Sequence, residues 1–343
     1  MTNTMKAVAL KEYLAINEVE SFLDVELPKP QASGHDILVK VDATSVNPVD
    51  TKVRSGVLGN EPETEPRVIG WDAVGIVESV GEAVTLFKAG DKVYYAGDIT
   101  RAGSNSEFQL VDERIVGFAP KSLTNAEAAA MPLTTITAYE ALFDRLGINP
   151  DADNSNKSIL IIGGAGGVGS IAIQLAKKIA GLKVIATASK QESIDWCLNL
   201  GADYTINHRE DMKQQLTELG LTYTDYIFCL NDTEGHFDSM VDIIKPQGKI
   251  ATIVETKNPL DITKLQGKSA TFVWELMYTR SLFQTEDMIE QHHLLNKVGT
   301  WFDEGIIRPT LCETIKSMNA DSLKKAHTMV ESGRMIGKVV VEY

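Results

Sequence analysis

The residues with the most chemical content form one run, Ile161-Ile162-Gly163-Gly164-Ala165-Gly166-Gly167-Val168-Gly169-Ser170. Gly164, Gly166 and Gly169 stand at G-x-G-x-x-G spacing, after an apolar stretch and before a helix-forming one, the context in which that spacing carries weight. Glycine lets the backbone turn tightly, approach a pyrophosphate and bring a helix close to a strand. The free N–H groups and positive dipole end at the start of that helix then face the phosphates. The backbone of Gly164, Gly166, Gly167, Val168 and Gly169 is therefore expected to cradle a dinucleotide. The plainer alternative is a glycine-rich structural turn.

The choice of nicotinamide follows from what is missing. NAD sites carry an Asp or Glu about 20 residues past the glycines, on the ribose 2′-hydroxyl. No Asp or Glu occurs from Ser158 through Gln191. The second strand runs out into Thr187-Ala188-Ser189-Lys190. A carboxylate there would repel a 2′-phosphate, whereas a hydroxyl and an ammonium bind one. His208 and Arg209, after the third strand, are expected to add donors on the same edge, so the expected cofactor is NADPH. On the alternative reading, Lys190 and Arg209 are solvated surface charges.

Positioning these residues requires a parallel sheet. Ser158–Ile162 reads as a fully apolar strand, 169–180 as a helix, Lys183–Thr187 as a second strand and 194–200 as a helix ended by Gly201. Strands follow at 204–207, 226–230 and, past the turn Pro246-Gln247-Gly248, at 249–254. Apolar strands alternating with helices imply a doubly wound α/β domain, expected over 128–284. Residues 1–127 read differently, as short strands joined by turns at Ser33-Gly34 and Gly90-Asp91, and so as a partly closed β domain. Thr124 is a plausible N-cap for a helix at 125–131, and further helices are expected at 137–145, 285–304 and 322–331. A last strand, 338–341, most easily pairs with the N-terminal β domain, which would then comprise 1–127 and 285–343.

Composition narrows the function classes. The chain has 343 residues and a formal net charge of −14, from 47 acidic and 33 basic residues. That balance argues against a nucleic-acid surface, which needs a basic face. The three cysteines, Cys197, Cys229 and Cys312, are far apart. They support neither a disulfide framework nor a zinc finger and read as buried reduced thiols. The N-terminus lacks the pattern of a secretory signal, and the most apolar run is shorter than the roughly 20 residues a membrane helix needs. A cytoplasmic protein with no membrane partner is expected.

Further motifs carry a family resemblance. Ser45-Val46-Asn47-Pro48-Val49-Asp50-Thr51 with Arg54-Ser55-Gly56, then Gly75–Gly81, Lys88–Val93, Pro132–Tyr139, the glycine run and Gly201–Glu210 stand in family order. On these, over nearly its whole length, the chain resembles the medium-chain dehydrogenase/reductases. More narrowly, it resembles the quinone oxidoreductase branch that includes zeta-crystallin, and the bacterial proteins called zinc-type alcohol dehydrogenase-like. The resemblance implies a GroES-like β domain built from both termini, a Rossmann domain between, a cofactor in the cleft and a dimer. The zinc enzymes of the family hold metal with a Cys, a His and a later Cys or Asp. Here those positions hold Asn47, Trp71 and, nearby, Leu133, and the four-cysteine structural loop is absent. A zinc site needs three or four converging N, S or O donors, so no metal is expected. Asp72 and His35 are the remaining potential ligands, with structural or surface roles expected for both.

Without zinc, alcohol oxidation loses the Lewis acid that would stabilise an alkoxide. The resemblance then implies hydride delivery to a quinone or α,β-unsaturated carbonyl, with Asn47 near the nicotinamide ribose or substrate oxygen and Thr137 at the nicotinamide end. On the alternative reading, Asn47 is a turn residue before Pro48. Relatives often have a tyrosine at the position of Lys52, which here becomes a candidate to stabilise an oxyanion or give a proton. Tyr94, Tyr95, Tyr139 and water are the other candidate donors. Relatives also often place a lysine where this chain has Ser193, with Lys190 earlier. An enoyl-thioester reductase and a non-enzymatic, crystallin-like NADPH-binding protein are the alternative functions.

Overall fold

The computed structural model describes residues 4–57, 59 and 63–343, and divides into two compact units, Met1–Ile136 with Tyr278–Tyr343 and Thr137–Met277. Sequence reading puts the junctions at 127/128 and 284/285; the structure divides at 136/137 and 277/278. Tertiary bonds account for the difference. The Leu133 N–H donates to Asp72 Oδ1 at 2.7 Å, Thr310 Oγ1 donates to Met131 Sδ, and Tyr278 stacks edge-on against Trp71.

In chain order the first unit opens with strands β1 (Thr4–Leu10), β2 (Leu23–Pro28) and β3 (Asp36–Val46), helix α1 (Pro48–Arg54), and strands β4 (Arg67–Val68), β5 (Asp72–Val80), β6 (Lys92–Tyr95), β7 (Phe108–Asp112) and β8 (Val116–Phe118). Helices α2 (Asn125–Ala129) and α3 (Pro132–Tyr139) lead on to the second unit. As expected, Thr124 caps α2, and Glu127 reaches back to the Thr124 N–H to complete a capping box. Helix α3 starts five residues before the expected 137, and 140–145 continue it as a π-helical turn.

The second unit contains β9 (Ser158–Ile162), α4 (Gly167–Gln174), β10 (Lys183–Thr187), α5 (Gln191–Leu200), β11 (Tyr204–Ile206), α6 (Met212–Glu218), β12 (Thr224–Cys229), α7 (Thr233–Ile243), β13 (Ile244–Thr252) and β14 (Thr271–Trp274). All its strand pairs are parallel, in the order β11-β10-β9-β12-β13-β14. This is the doubly wound arrangement, whose order reverses between β9 and β12. Every residue of β9 is buried, as a strand covered on both faces requires. Gly201, left-handed at φ 111°, stops α5. The expected turn at Pro246–Gly248 sits inside β13 as an irregularity of register, with Gln247 at φ 64°.

The chain then returns to the first unit with α8 (Thr279–Leu282), α9 (Glu290–Asp303), β15 (Leu311–Ile315), α10 (Ala320–Glu331) and β16 (Lys338–Glu342). Helix α9 begins at 290, not 285, because the Thr285 hydroxyl and Arg280 engage the Asp287 carboxylate in a turn ahead of it. Strand β16 pairs antiparallel with β3, as the sequence suggests, within a sheet ordered β15-β16-β3-β5-β6-β8 with β7 also on β3. A smaller sheet runs β2-β1-β4. The structure corrects one cysteine: Cys197 and Cys229 are buried, but Cys312, on β15, is exposed.

Candidate active site

The glycine run occupies the carboxyl end of β9, at the point where strand order reverses. Gly163 turns at φ 91°, and its N–H donates to Thr187 Oγ1 at 2.9 Å. The Gly164 N–H donates to Thr187 O at 3.2 Å. The last residue of β10 thus ties down the start of the loop. A Cβ at Gly164 would lie 2.8 Å from Ala186 Cβ, and one at Gly169 only 2.4 Å from Gly163 O. These two glycines let helix, strand and loop touch. Gly166 differs: a Cβ there would meet nothing nearer than 3.7 Å. It caps α4, ahead of the free N–H groups that Gly167, Val168 and Gly169 bring to the helix start. Trp196 Nε1 donates to Ser170 Oγ, which donates to Gly166 O, bracing this turn from α5.

The edge expected to meet a 2′-phosphate is assembled from two segments. Thr187 and Ile206 are paired, and the Ala188 N–H donates to Ile206 O, so 188–190 run beside 207–209. Ser189 is half-buried, and Lys190 and Arg209 are exposed. His208 differs in its surroundings from Lys190 and Arg209. Its half-buried ring lies edge-on to His236 on α7, with centroids 5.8 Å apart. Burial, then His236 and Arg209, hold its pKa below the ordinary imidazole value, so it brings no cation at neutral pH.

Two residues of this region escape motif reading. Thr187 is one, recognisable only as a β-branched hydroxyl at a strand end. Asn231 is the other. It follows β12, and its Oδ1 is buried without a partner among the described residues and lies where a Gly163 side chain would come within 3.4 Å. A polar turn residue just past an apolar strand opposite the glycines is the signal that could have found it.

Asn47, Trp71 and Leu133, the three zinc-ligand positions, do converge in the first unit, but around a carboxylate. Asp72, at the start of β5, is fully buried. It accepts from Asn47 Nδ2 at 2.8 Å, the Leu133 N–H at 2.7 Å and Lys338 Nζ at 3.3 Å. Lys338, at the start of β16 and equally buried, also donates to Asn47 Oδ1 and, at 3.1 Å, to Val46 O. Burial pulls the Lys338 ammonium down and the Asp72 carboxyl up, and the attraction between them opposes both shifts. Asn47 is itself only 1% exposed, and both ends of its amide are engaged in this network. Its N–H donates at 2.5 Å to Asp50, whose carboxyl burial pushes up to about 7. Trp71 is fully buried.

These residues do not fit a zinc ion. Two of the three positions have carbon or indole side chains, the third is an amide already used at both ends, and an ammonium stands against the Asp72 carboxylate. Among the described residues, no group of three or more His, Cys, Asp or Glu side chains could hold a metal. His35 pairs with Glu113 at 2.9 Å, a structural role.

The remaining expected residues are more scattered. Lys52 lies half-buried in α1 and Thr137 is buried in α3. Tyr94 and Tyr95 are core residues whose hydroxyls burial holds far above their usual range, and Tyr94 donates to Leu295 O. Tyr139 stacks edge-on against Phe143.

Two family models match. "Alcohol dehydrogenase GroES-like domain" covers residues 33–136, and "Zinc-binding dehydrogenase" covers residues 167–292. A zinc-type alcohol dehydrogenase-like protein of Staphylococcus epidermidis is 44% identical over 98% of this chain and 99% of its own. The 2-methylene-furan-3-one reductase of Solanum lycopersicum is 30% identical over 98% of this chain and 79% of its own. A crystal structure of a Rhizobium etli CFN 42 protein classed with the zinc-dependent alcohol dehydrogenases superposes with a TM-score of 0.95 at 49% identity, covering 100% of this chain and 99% of that one.

Proposed function

The chain belongs to the medium-chain dehydrogenase/reductase superfamily, among its bacterial zinc-type alcohol dehydrogenase-like members, and from that premise we propose that it is an NADPH-dependent, zinc-independent reductase of quinones or α,β-unsaturated carbonyls. The observation that carries this reading is the buried Asp72–Lys338 pair, bridged by Asn47, at the position where relatives bind zinc. With that volume filled, an alcohol's developing alkoxide has no Lewis acid, and the chemistry left is reduction of an acceptor that is already electrophilic. The tomato relative, named for an enone, supports that acceptor class.

Bound NADPH would supply the hydride; this chain's residues bind, orient and shield it. Gly164, Gly166, Gly167, Val168 and Gly169 would hold the pyrophosphate, and Ser189, Lys190 and Arg209 the 2′-phosphate. Asn231, with a buried, unpaired amide oxygen beside the loop, would face the nicotinamide half. On the acceptor side Asn47 is a positioning residue, and Lys52 and Thr137 are the candidates to touch substrate. A homodimer fits β14, an edge strand of its sheet with Trp274 and Leu276 exposed near its end. The two buried, reduced thiols fit a cytoplasmic location.

The test is an NADPH-oxidation screen across quinones, enals, enones and acyl thioesters, with NADP⁺-dependent alcohol oxidation run beside it. Turnover of quinones or enones that survives chelators, with no alcohol oxidation, is the expected outcome. Exclusive use of acyl thioesters, or loss of activity on chelation with a full equivalent of zinc bound, would overturn it.

A further inference from the structure

The strands of the second unit have two very different ends. The glycine loop lies at the carboxyl end of β9. At the amino ends of β9, β10, β12 and β13 the surface hollows into a cavity of about 260 Å³, lined among others by Lys157, Lys183, Lys245, Asn156, Tyr223 and Asp225. Five strand residues, about 17 Å, separate the two along β9, so the hollow is no extension of the pyrophosphate cradle.

Three ammonium groups share this hollow with one carboxylate, and that carboxylate is already used. Asp225 accepts from Lys245 Nζ at 2.7 Å and from the Ser158 N–H at 2.9 Å. Partial burial works to raise its pKa, but these donors outweigh burial and hold it below the ordinary carboxylate value. It stays ionised and spends its charge on Lys245. Lys157 Nζ donates at 3.1 Å to a neutral oxygen, Asn154 Oδ1, and Lys183 stands exposed at the first position of β10. Behind Tyr223 a further ammonium, Lys268, is fixed by the carbonyls of Val241, Asp242 and Ile244, with Nζ 4.7 Å from the ring centroid.

Gathering like charges in one concavity raises its potential and concentrates counter-ions there. In a chain of net charge −14 it is the more notable, because acidic neighbours could have dispersed that potential. Ammonium groups serve phosphate as point charges, and the Asn156 amide and Tyr223 hydroxyl add neutral donors. We propose that this hollow is a second anion site, taking a compact phosphate polyanion such as pyrophosphate or the phosphate end of a small phosphorylated metabolite.

Calorimetric titration with inorganic pyrophosphate, with and without saturating NADPH, tests it. The expected result is one site per chain that persists under NADPH and weakens as salt rises. In the variant Lys157→Ala/Lys183→Ala the affinity should fall about tenfold or more. Lys183 is exposed and Lys157 half-buried, and an unchanged NADPH affinity would show that the variant unit is intact. The proposal is overturned if wild-type protein takes up no pyrophosphate at millimolar concentration. It is equally overturned if NADPH abolishes the binding, or if the double variant binds as well as wild type.

Discussion

The glycine loop of the second unit and the Asn47–Asp72–Lys338 centre of the first unit are built on opposite plans. In the loop, side chains are removed. Gly169 clears space for backbone contact and Gly164 for the side chains of Ala186 and Cys197, Gly166 leaves open volume, and the first N–H groups of α4 are free to meet a ligand. In the centre, polar groups are added until they use one another: one carboxylate takes three donors, one ammonium takes three acceptors, and one amide joins the two. A site that must receive a charged cofactor keeps its donors unspent. A centre closed on itself must balance its own charge, because an isolated ion costs far more to bury than a paired one.

The largest effect is expected from breaking the self-sufficient centre. Lys338→Met leaves Asp72 buried with two neutral donors, and loss of one partner of a buried pair costs about 3–5 kcal/mol. Chemical denaturation should read that loss, and Asp72→Asn added to it should restore most of the stability. Single and double variants of equal stability would mean that the pair does not hold the centre together. The glycine loop should respond by position. Gly169→Ala drives a Cβ to within 2.4 Å of Gly163 O and should cost about 3 kcal/mol, near the upper end for overpacking, together with dinucleotide binding. Gly166→Ala has room, so its melting temperature should stay near wild type. Equal losses at the two positions would break the distinction between close approach and open cradle.

Sequence reading reached these two regions unequally, and the reason is range. Strands Ser158–Ile162 and Lys183–Thr187, the Thr124 cap and the glycine motif are local patterns, and the structure keeps their bounds. The Asp72–Lys338 pair joins residues 266 apart, and nothing near either one announces the other. Lys338 looks like the first residue of an apolar strand, which by itself suggests a solvated end. Local reading also misses how helices end. The helices expected over 137–145 and 169–180 both finish in π-helical turns, at Glu140–Arg145 and Leu175–Ile179, where helix spacing alone gives no signal. The surroundings of His208 are hidden for another reason: the strand end it follows is read correctly, but the ring's neighbour on α7 is known only once the chain is folded.

A third buried polar group, His327, offers a smaller effect on the self-sufficient side of the comparison, because it lacks what Asp72 has. Its ring is fully buried on α10 against Phe22, both nitrogens lack partners among the described residues, and burial, aided by Arg54, pulls its pKa from 6.5 to about 3. The folded state holds the ring neutral while the unfolded chain takes a proton below 6.5. Stability from this group is thus full above 6.5 and lost as pH falls towards 3. At pH 5 the loss should be about 2 kcal/mol at 1.36 kcal/mol per unit. Asp50 acts in the reverse sense: its carboxyl is raised to about 7, so its contribution is full in acid below the ordinary carboxylate value and fades as pH rises through 7. Between pH 7 and 5 the Asp50 gain offsets the His327 loss, so the informative quantity is the difference between the denaturant midpoints of wild type and His327→Leu from pH 7.5 to 5. The His327→Leu curve should rise towards acid relative to wild type, by about 2 kcal/mol at pH 5. Parallel curves would show that the His327 ring does not set the acid dependence.

The smallest effect concerns charge on the open edge. Lys190 is exposed beside Ser189, in a segment from Ser158 to Gln191 that holds no carboxylate. If its ammonium meets a 2′-phosphate, Lys190→Ala should weaken NADPH binding about tenfold and leave NADH binding unchanged, since solvent screens an exposed contact and only one cofactor carries the phosphate. Arg209→Ala should act in the same direction, and His208→Ala, which removes a ring held neutral, should discriminate far less. The ratio of NADPH to NADH dissociation constants is the quantity to measure, at two salt concentrations. A ratio that ignores Lys190 and Arg209 yet moves with His208 would place the phosphate contact on the α7 side of the strand ends and reverse the assignment of this edge.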